Sequence, residues 1–405
     1  MTEPTATVLD GPSAPGAPSS GARAASSPRA LPRPAAGAAK ALAVFAAARL
    51  TGVLAVAAGA WLTGQKPLAL LGRSWDSLWY EGIAAHGYGV RTLHFGDGVV
   101  HSDLAFFPLY PALIRAAHTV LPLSTGVCAL LIAWAATLTA AVGIHRIGAR
   151  LHGPAVATAL VVLWGLLPHS VVLSMAYTEP VLTALAAWSL YAVLTGRWLW
   201  AGSLAALAGL SRPNGFAVAA AVLSTAVYEI VRHRGRVPHR LWTGALLAPL
   251  GWASYVLWVG RHQGDPLGGY FAVQRGWGST FDFGVGSARF VKKMLLHGDR
   301  FVFPMTLLIV AAAVLLYAFL LLDRAPLPLA VYTGVLLLIA VGGSGFFESK
   351  PRFLLPAFPL LLPLACALAR TARARPAHAV LVTGVLAGLS LAYGTYLIVY
   401  AHTPL

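Results

Sequence analysis

Residues 41–62 read ALAVFAAARLTGVLAVAAGAWL. This apolar run from Ala41 to Leu62 is long enough to cross the roughly 30 Å hydrocarbon core of a bilayer as one helix. Arg29, Arg33 and Lys40 precede it, so the positive-inside rule puts the amino terminus in the cytoplasm. Ala57-Ala58-Gly59 resembles a signal-peptidase site, but the long leading tail and the full-length run suit an uncleaved anchor better. Comparable runs recur down the chain, at Ser124–Ile144, Pro154–Leu173, Pro180–Leu194, Trp198–Leu210, Gly215–Val231, Leu241–Val259, Phe303–Leu322, Pro326–Val341, Phe353–Ala369 and Ala377–Tyr400. The expected fold is therefore an all-α integral membrane protein of about eleven transmembrane helices.

Composition agrees. Of the 405 residues 58% are hydrophobic and 10% charged, against roughly 25% charged in soluble domains. The net charge of +16 comes from 29 Lys and Arg against 13 Asp and Glu. Its basic residues do not form one soluble face, so nucleic acid is not an expected partner. They fall in short clusters between the runs: Arg146/Arg150, Arg197, Arg232/Arg234/Arg236/Arg240, Arg324 and Arg370/Arg373/Arg375. Alternating sides from the first span puts every cluster in the cytoplasm, next to anionic membrane lipids. Residues 1–38 are rich in Pro, Ala, Gly and Ser without apolar periodicity, and read as a disordered cytoplasmic tail ahead of a polytopic domain over 39–405. Cys128 and Cys366 sit far apart in apolar runs and imply neither a disulfide framework nor a metal site.

The same alternation leaves four extracytoplasmic segments. The first, residues 63–123, is far longer than a connector needs. It holds Ser74-Trp75-Asp76-Ser77-Leu78-Trp79-Tyr80 and then His86, Gly87 and Tyr88, a polar stretch with His94, Asp97, His101 and Asp103, and the Pro-punctuated apolar run Ala105–Arg115. That last run reads as a helix lying in the interface rather than as a span. The others are Ser174–Glu179, Arg261–Arg300 and Gly342–Arg352. Trp and Tyr favour the headgroup level with or without a reaction nearby, so an anchoring belt is the alternative reading of Trp75, Trp79 and Tyr80. A belt does not need Asp76, and an acid beside hydrocarbon points to a working group. Between two short runs, Ser211-Arg212-Pro213-Asn214-Gly215 marks a hairpin broken inside the membrane, tolerable only in protein or around a water-filled cavity.

Trp75-Asp76-Ser77-Leu78-Trp79-Tyr80, Gly87-Tyr88, Phe106-Phe107-Pro108-Leu109-Tyr110-Pro111, Tyr177-Thr178-Glu179-Pro180, Ser211-Arg212-Pro213-Asn214-Gly215 and Pro351-Arg352-Phe353 occur in this order. The ordered set resembles the PIG-V-type mannosyltransferases, and covers nearly all of the chain after the tail. The resemblance implies a polytopic GT-C glycosyltransferase at the cell membrane, drawing a sugar, mannose, from a polyprenyl-phosphate donor on the extracytoplasmic side. It places Asp76 where the family has the acidic residue of the first outer loop. Many relatives have Arg-Tyr where this chain has Arg352-Phe353, so any role for that hydroxyl is missing here.

Sugar transfer from a lipid phosphate needs a base for the incoming hydroxyl, stabilisation of an oxocarbenium-like centre and cations for the leaving phosphate. Asp76 suits the base, its alternative being a cap on a loop helix. Glu179 is the second candidate acid, although an acid before Pro180 also complements a helix dipole. Arg212, Lys350 and Arg352 lie outside the cytoplasmic clusters and suit a phosphate, whereas headgroup contact is the alternative for Lys350. Trp75, Trp79, Tyr80, His86 and Tyr88 complete the expected substrate contacts; His86 and His101 suit sugar or acid contacts, although a lone loop histidine is more often a solvated one. No cofactor is expected, and too few acids converge for an octahedral metal site. The acceptor is a hydroxyl on a lipid, glycan or protein. A transporter or lipid flippase is the rival class, since broken helices and membrane-embedded charges occur there too, but the chain shows no internal repeat and its charges gather at one face. A purely structural membrane partner would not need acids and cations converging on one side.

Overall fold

The computed structural model describes residues 34–96, 99–297 and 300–401. Most of the expected tail, up to residue 33, and Asp97 lie outside the described residues. Helix α1 (Pro34–Leu62) begins ahead of the apolar run. Between it and α5 (Thr125–His152) come α2 (Pro67–Gly72), α3 (Asp76–His86), the antiparallel strands β1 (Thr92–His94) and β2 (Val100–Ser102), and α4 (Leu109–Val120). The chain continues through α6 (Pro154–Gly165), α7 (Glu179–Leu194), α8 (Trp198–Gly209), α9 (Phe216–Arg232), α10 (His239–Leu247), α11 (Leu250–His262), α12 (Gly269–Gly276) and α13 (Val285–His297). It closes with α14 (Val302–Leu322), α15 (Leu327–Gly342), α16 (Lys350–Leu354), α17 (Leu362–Ala374) and α18 (Pro376–Thr395).

Every apolar run contains α-helix, and the chain is a multi-pass integral membrane protein. Among the described residues six helices are each long and apolar enough to cross a bilayer, or seven with a bent pair, where the sequence led us to expect about eleven. The run expected over Phe353–Ala369 is that pair, bent by 76° between Phe347–Leu354 and Phe358–Ala374. Pro356 and Pro359 remove backbone donors at the bend. The run Pro154–Leu173 stops being α-helical at Gly165. With α7, α8 and α15, α6 makes four apolar helices of only 12 to 16 residues, about 18 to 24 Å long. Of the two runs flanking Arg212, the second is long enough to cross, over Pro213–Arg232.

Tight glycine contacts join these short helices. A Cβ on Gly202 would lie on the Gly244 carbonyl, one on Gly251 on the Ala206 carbonyl, and one on Gly143 at 2.9 Å from the Ala187 side chain. Small residues at crossings let helix backbones approach in lipid, where packing replaces the hydrophobic effect between helices. Gly153, at φ 86° and followed by Pro154, ends α5 and starts α6, the usual sequence asymmetry of helix ends.

The antiparallel succession gives the bundle two chemically different ends. The last turns of α5 (Arg150), α9 (Arg232) and α17 (Arg373), and the α7–α8 and α14–α15 links (Arg197, Arg324), carry the basic clusters at one end. Asp76, Glu179, Arg212 and Arg352 meet at the other. Helix α4 is two-faced, with Tyr110 and Ile114 fully buried and Leu113 and Val120 exposed.

Candidate active site

The loop between α6 and α7, residues 166–178, is the floor of the site. Trp134 donates to the Ser174 carbonyl at 3.0 Å, and Thr137 to that of Leu173 at 2.9 Å. Trp134 lies nine residues along α5 from its first residue, Thr125, about 14 Å at 1.5 Å per residue. The loop is therefore recessed below the end of α5. Non-helical backbone at such depth has to be enclosed by protein or line a polar cavity. Enclosure is tight: Tyr177, Thr178 and Glu179 are each 0–1% exposed.

Glu179 opens α7 inside this recess, and two guanidiniums converge on it. Arg212, in the break between α8 and α9, pairs with Glu179 Oε1 through Nη1. Arg352, on the one-turn helix α16, places Nε 3.2 Å from the same oxygen. It also donates from Nη1 to Asp76 Oδ2 at 2.7 Å. Arg352 thus bridges the two acids singled out in the sequence. Trp75 precedes Asp76 with φ 48°, a value rarely adopted by a residue with a Cβ, and α3 then starts with the Asp76 carboxylate facing the recess at 26% side-chain exposure. The ring of Phe353 lies 5.2 Å from the Arg352 guanidinium and 5.6 Å from that of Arg212, and Tyr177 lies 5.1 Å from Arg352. An aromatic face is what these cations use, so phenylalanine suffices at position 353.

Charge is balanced but hydrogen bonding is not. Arg212 Nε and Nη1, Arg352 Nε and both Glu179 oxygens are buried without an aligned hydrogen-bond partner, although the ion pairs lie within reach. Native interiors seldom leave so many polar atoms unsatisfied; gathered in one place, they have the capacity to hold a polar ligand. The carboxylate of Asp76 has one hydrogen bond among the described residues, to Oδ2, which leaves Oδ1 free to accept a proton. Tyr80 borders the cluster, its hydroxyl 3.2 Å from Thr178 Oγ1. Burial, followed by the nearby Asp76 carboxylate, holds its phenol well above the usual tyrosine range, so it is a neutral hydrogen-bonding group.

The other expected contacts are engaged elsewhere. Lys350 Nζ donates to the Ala340 and Gly343 carbonyls at the end of α15, where a cation complements the helix dipole. Trp79 stacks on Phe106 at 5.5 Å and carries the Arg91 guanidinium over its ring at 4.4 Å. Tyr88 donates to the Phe106 carbonyl at 2.8 Å. His86 is exposed and lines a cleft of about 310 Å³ with Trp79, Ile83 and Arg91. Asp76, Trp79, Ile83 and His86 fall on one stripe of α3, so this cleft continues the face that begins at Asp76. Asp103, at the cleft wall, accepts from the backbone of Gly89 and Arg91 at 3.1 and 3.2 Å and orders the turn before β1.

Sequence reasoning missed two buried groups beside the recess. Arg49 lies in the middle of α1 and donates to the Ser170 carbonyl; His169 is 2% exposed. The available signal was an ionisable residue in the centre of an apolar run.

No protein-family model matches the chain, and no curated protein matches it. Solved structures do. The apo crystal structure of the Archaeoglobus fulgidus oligosaccharyltransferase matches over 90% of this chain with a TM-score of 0.54 and 15% identity. A structure of the oligosaccharyltransferase AglB from the same organism, in complex with an inhibitory peptide and a dolichol-phosphate, matches over 89% with a TM-score of 0.49 and 13% identity. In each case the chain spans 56% of the other protein's length. At such identities the likeness is one of fold, and the first of these two structures carries it.

Proposed function

We propose that this chain is a membrane glycosyltransferase of the PIG-V type. In this reading it transfers mannose, with inversion, from a polyprenyl-phosphate donor to an acceptor hydroxyl. The observation that carries the reading is Arg352 bridging Asp76 and Glu179 in a recess at the end opposite the basic clusters. The acceptor oxygen attacks the anomeric carbon, and its proton passes to Asp76 Oδ1. The bond from that carbon to the phosphate oxygen breaks, and its electron pair leaves with the lipid phosphate. Arg212 and Arg352 face the charge that grows on the leaving group. Glu179, shared between them, fixes both guanidiniums. The cleft along α3 gives the acceptor a route to Asp76. A transporter is not favoured, because these charges are grouped at one end of the bundle.

Membranes containing the protein, incubated with labelled polyprenyl-phosphate-mannose, should form a labelled product that membranes lacking it do not. A labelled nucleotide sugar should not substitute. Product made from the nucleotide sugar alone, in membranes free of polyprenyl phosphate, would contradict the donor class.

The positive-inside rule makes the recess extracytoplasmic. With both native cysteines replaced by alanine, Gly96→Cys should react with an impermeant thiol reagent from outside intact cells. Arg236→Cys should react only after permeabilisation. The reverse pattern would put Asp76 in the cytoplasm.

A further inference from the structure

Beside the carboxylate cluster, on the α1 and α18 side of the same recessed loop, lies a second buried polar group with several unpartnered atoms. Arg49 is 9% exposed, His169 2% and Tyr393 7%. The Arg49 Nε, both ring nitrogens of His169 and the Tyr393 hydroxyl have no hydrogen-bond partner among the described residues. These residues adjoin one another. The rings of His169 and Tyr393 meet edge to face at 5.5 Å, Arg49 holds the carbonyl of the next residue, Ser170, and Ser170 Oγ lies 3.1 Å from Ser390 Oγ on α18. A neutral histidine carries one N–H that needs an acceptor, so two orphaned ring nitrogens mark a place where an outside group belongs. Arg49 has no carboxylate within ion-pair distance among the described residues.

Electrostatics selects the ligand. In the carboxylate cluster two guanidiniums, Arg212 and Arg352, face two acids, Asp76 and Glu179, and the sum is zero. An incoming sugar–lipid phosphodiester brings one negative charge that this cluster alone does not neutralise. Arg49 supplies the missing positive charge. The loop ties the two groups together, because Ser170 receives Arg49 and, a few residues on, Glu179 receives Arg212 and Arg352. Lys350 cannot take this part while its ammonium faces the carbonyls of α15. Helix α18 carries Tyr393 and runs into a π-helical turn over Tyr396–Tyr400, a form concentrated at functional sites. Small residues line the seam, with Gly59 packed against Thr395 and Gly394 against Val171, so α18 lies close to α1 and to the loop that carries His169.

We propose that Arg49, His169 and Tyr393 form a subsite for the phosphate of a long-chain lipid phosphate. Its assignment to the donor rests on the glycosyltransferase reading. The test is therefore a binding measurement that needs no transfer: full-length protein in nanodiscs, with radiolabelled polyprenyl phosphate as the probe and phosphatidic acid and inorganic phosphate as competitors. Wild-type protein should retain the probe, and millimolar inorganic phosphate should not displace it. Arg49→Gln should weaken retention at least about tenfold, with Arg49→Lys recovering part of the loss. Tyr393→Phe is the variant that separates binding from folding: it removes a hydroxyl with no partner in the protein, so thermal stability should hold while retention falls several-fold. Unchanged retention in both Arg49→Gln and Tyr393→Phe would overturn the subsite, and so would wild-type protein binding neither lipid. Binding of phosphatidic acid through Arg49, with no binding of polyprenyl phosphate, would uphold the subsite and remove the donor reading.

Discussion

Arg352→Gln should be the most damaging single substitution in the recess, lowering stability by about 3–5 kcal/mol, the usual cost of leaving a buried charge uncompensated. Arg352 is 6% exposed and holds Asp76 at 2.7 Å and Glu179 at 3.2 Å. Without it Glu179, fully buried, keeps only Arg212, and Asp76 loses its one hydrogen bond. Transfer should fall sharply as well, since one of the two cations facing the leaving phosphate is gone. Lysine should restore little, because a single ammonium cannot span both acids as the planar fork does. Combining Arg352→Gln with Asp76→Asn should recover part of the stability, as one uncompensated carboxylate is removed along with its partner. Thermal unfolding in detergent checks both statements. Equal midpoints for wild type and Arg352→Gln would mean that the bridge contributes nothing.

Asp76→Asn should behave in the opposite manner, with a small effect on folding and a large one on rate. Asparagine keeps an oxygen for Arg352 Nη1, and the side chain is 26% exposed, so little buried charge is disturbed. Loss of the proton acceptor should lower turnover by about a hundredfold or more, the range typical of a general base. Donor retention should be unchanged. Near-normal transfer by well-folded Asp76→Asn would reduce Asp76 to an acid complementing the start of α3.

The charged residues of the recess were legible because the chain is so apolar. In a sequence with 10% charged residues, an acid or arginine outside the basic clusters has few reasons to be there, and Asp76, Glu179, Arg212 and Arg352 were found on that ground. Their pairing was not legible, since Asp76 and Arg352 meet across nearly the whole chain. Lys350 and Arg352 looked equivalent in the sequence. Two positions apart on α16, they project about 200° from one another, and only Arg352 reaches the carboxylates. The helical runs were readable, but where each helix stops was not, because the apolar composition continues without change through the breaks at Gly165 and Leu355–Ala357. Hydropathy marks what is buried from water and does not distinguish an α-helix from the irregular loop beneath it. Arg49 and His169 escaped notice for the same reason, embedded in runs whose average is apolar.

The most direct test of the site is a structure of the protein with a non-transferable polyprenyl-phosphate-sugar analogue bound. The account predicts phosphate density between Arg49 and the Arg212–Arg352 pair, within hydrogen-bonding distance of at least one of these guanidiniums, with the anomeric carbon turned toward Asp76. Density for the sugar phosphate at the basic end instead, beside Arg197 and Arg232, would contradict it.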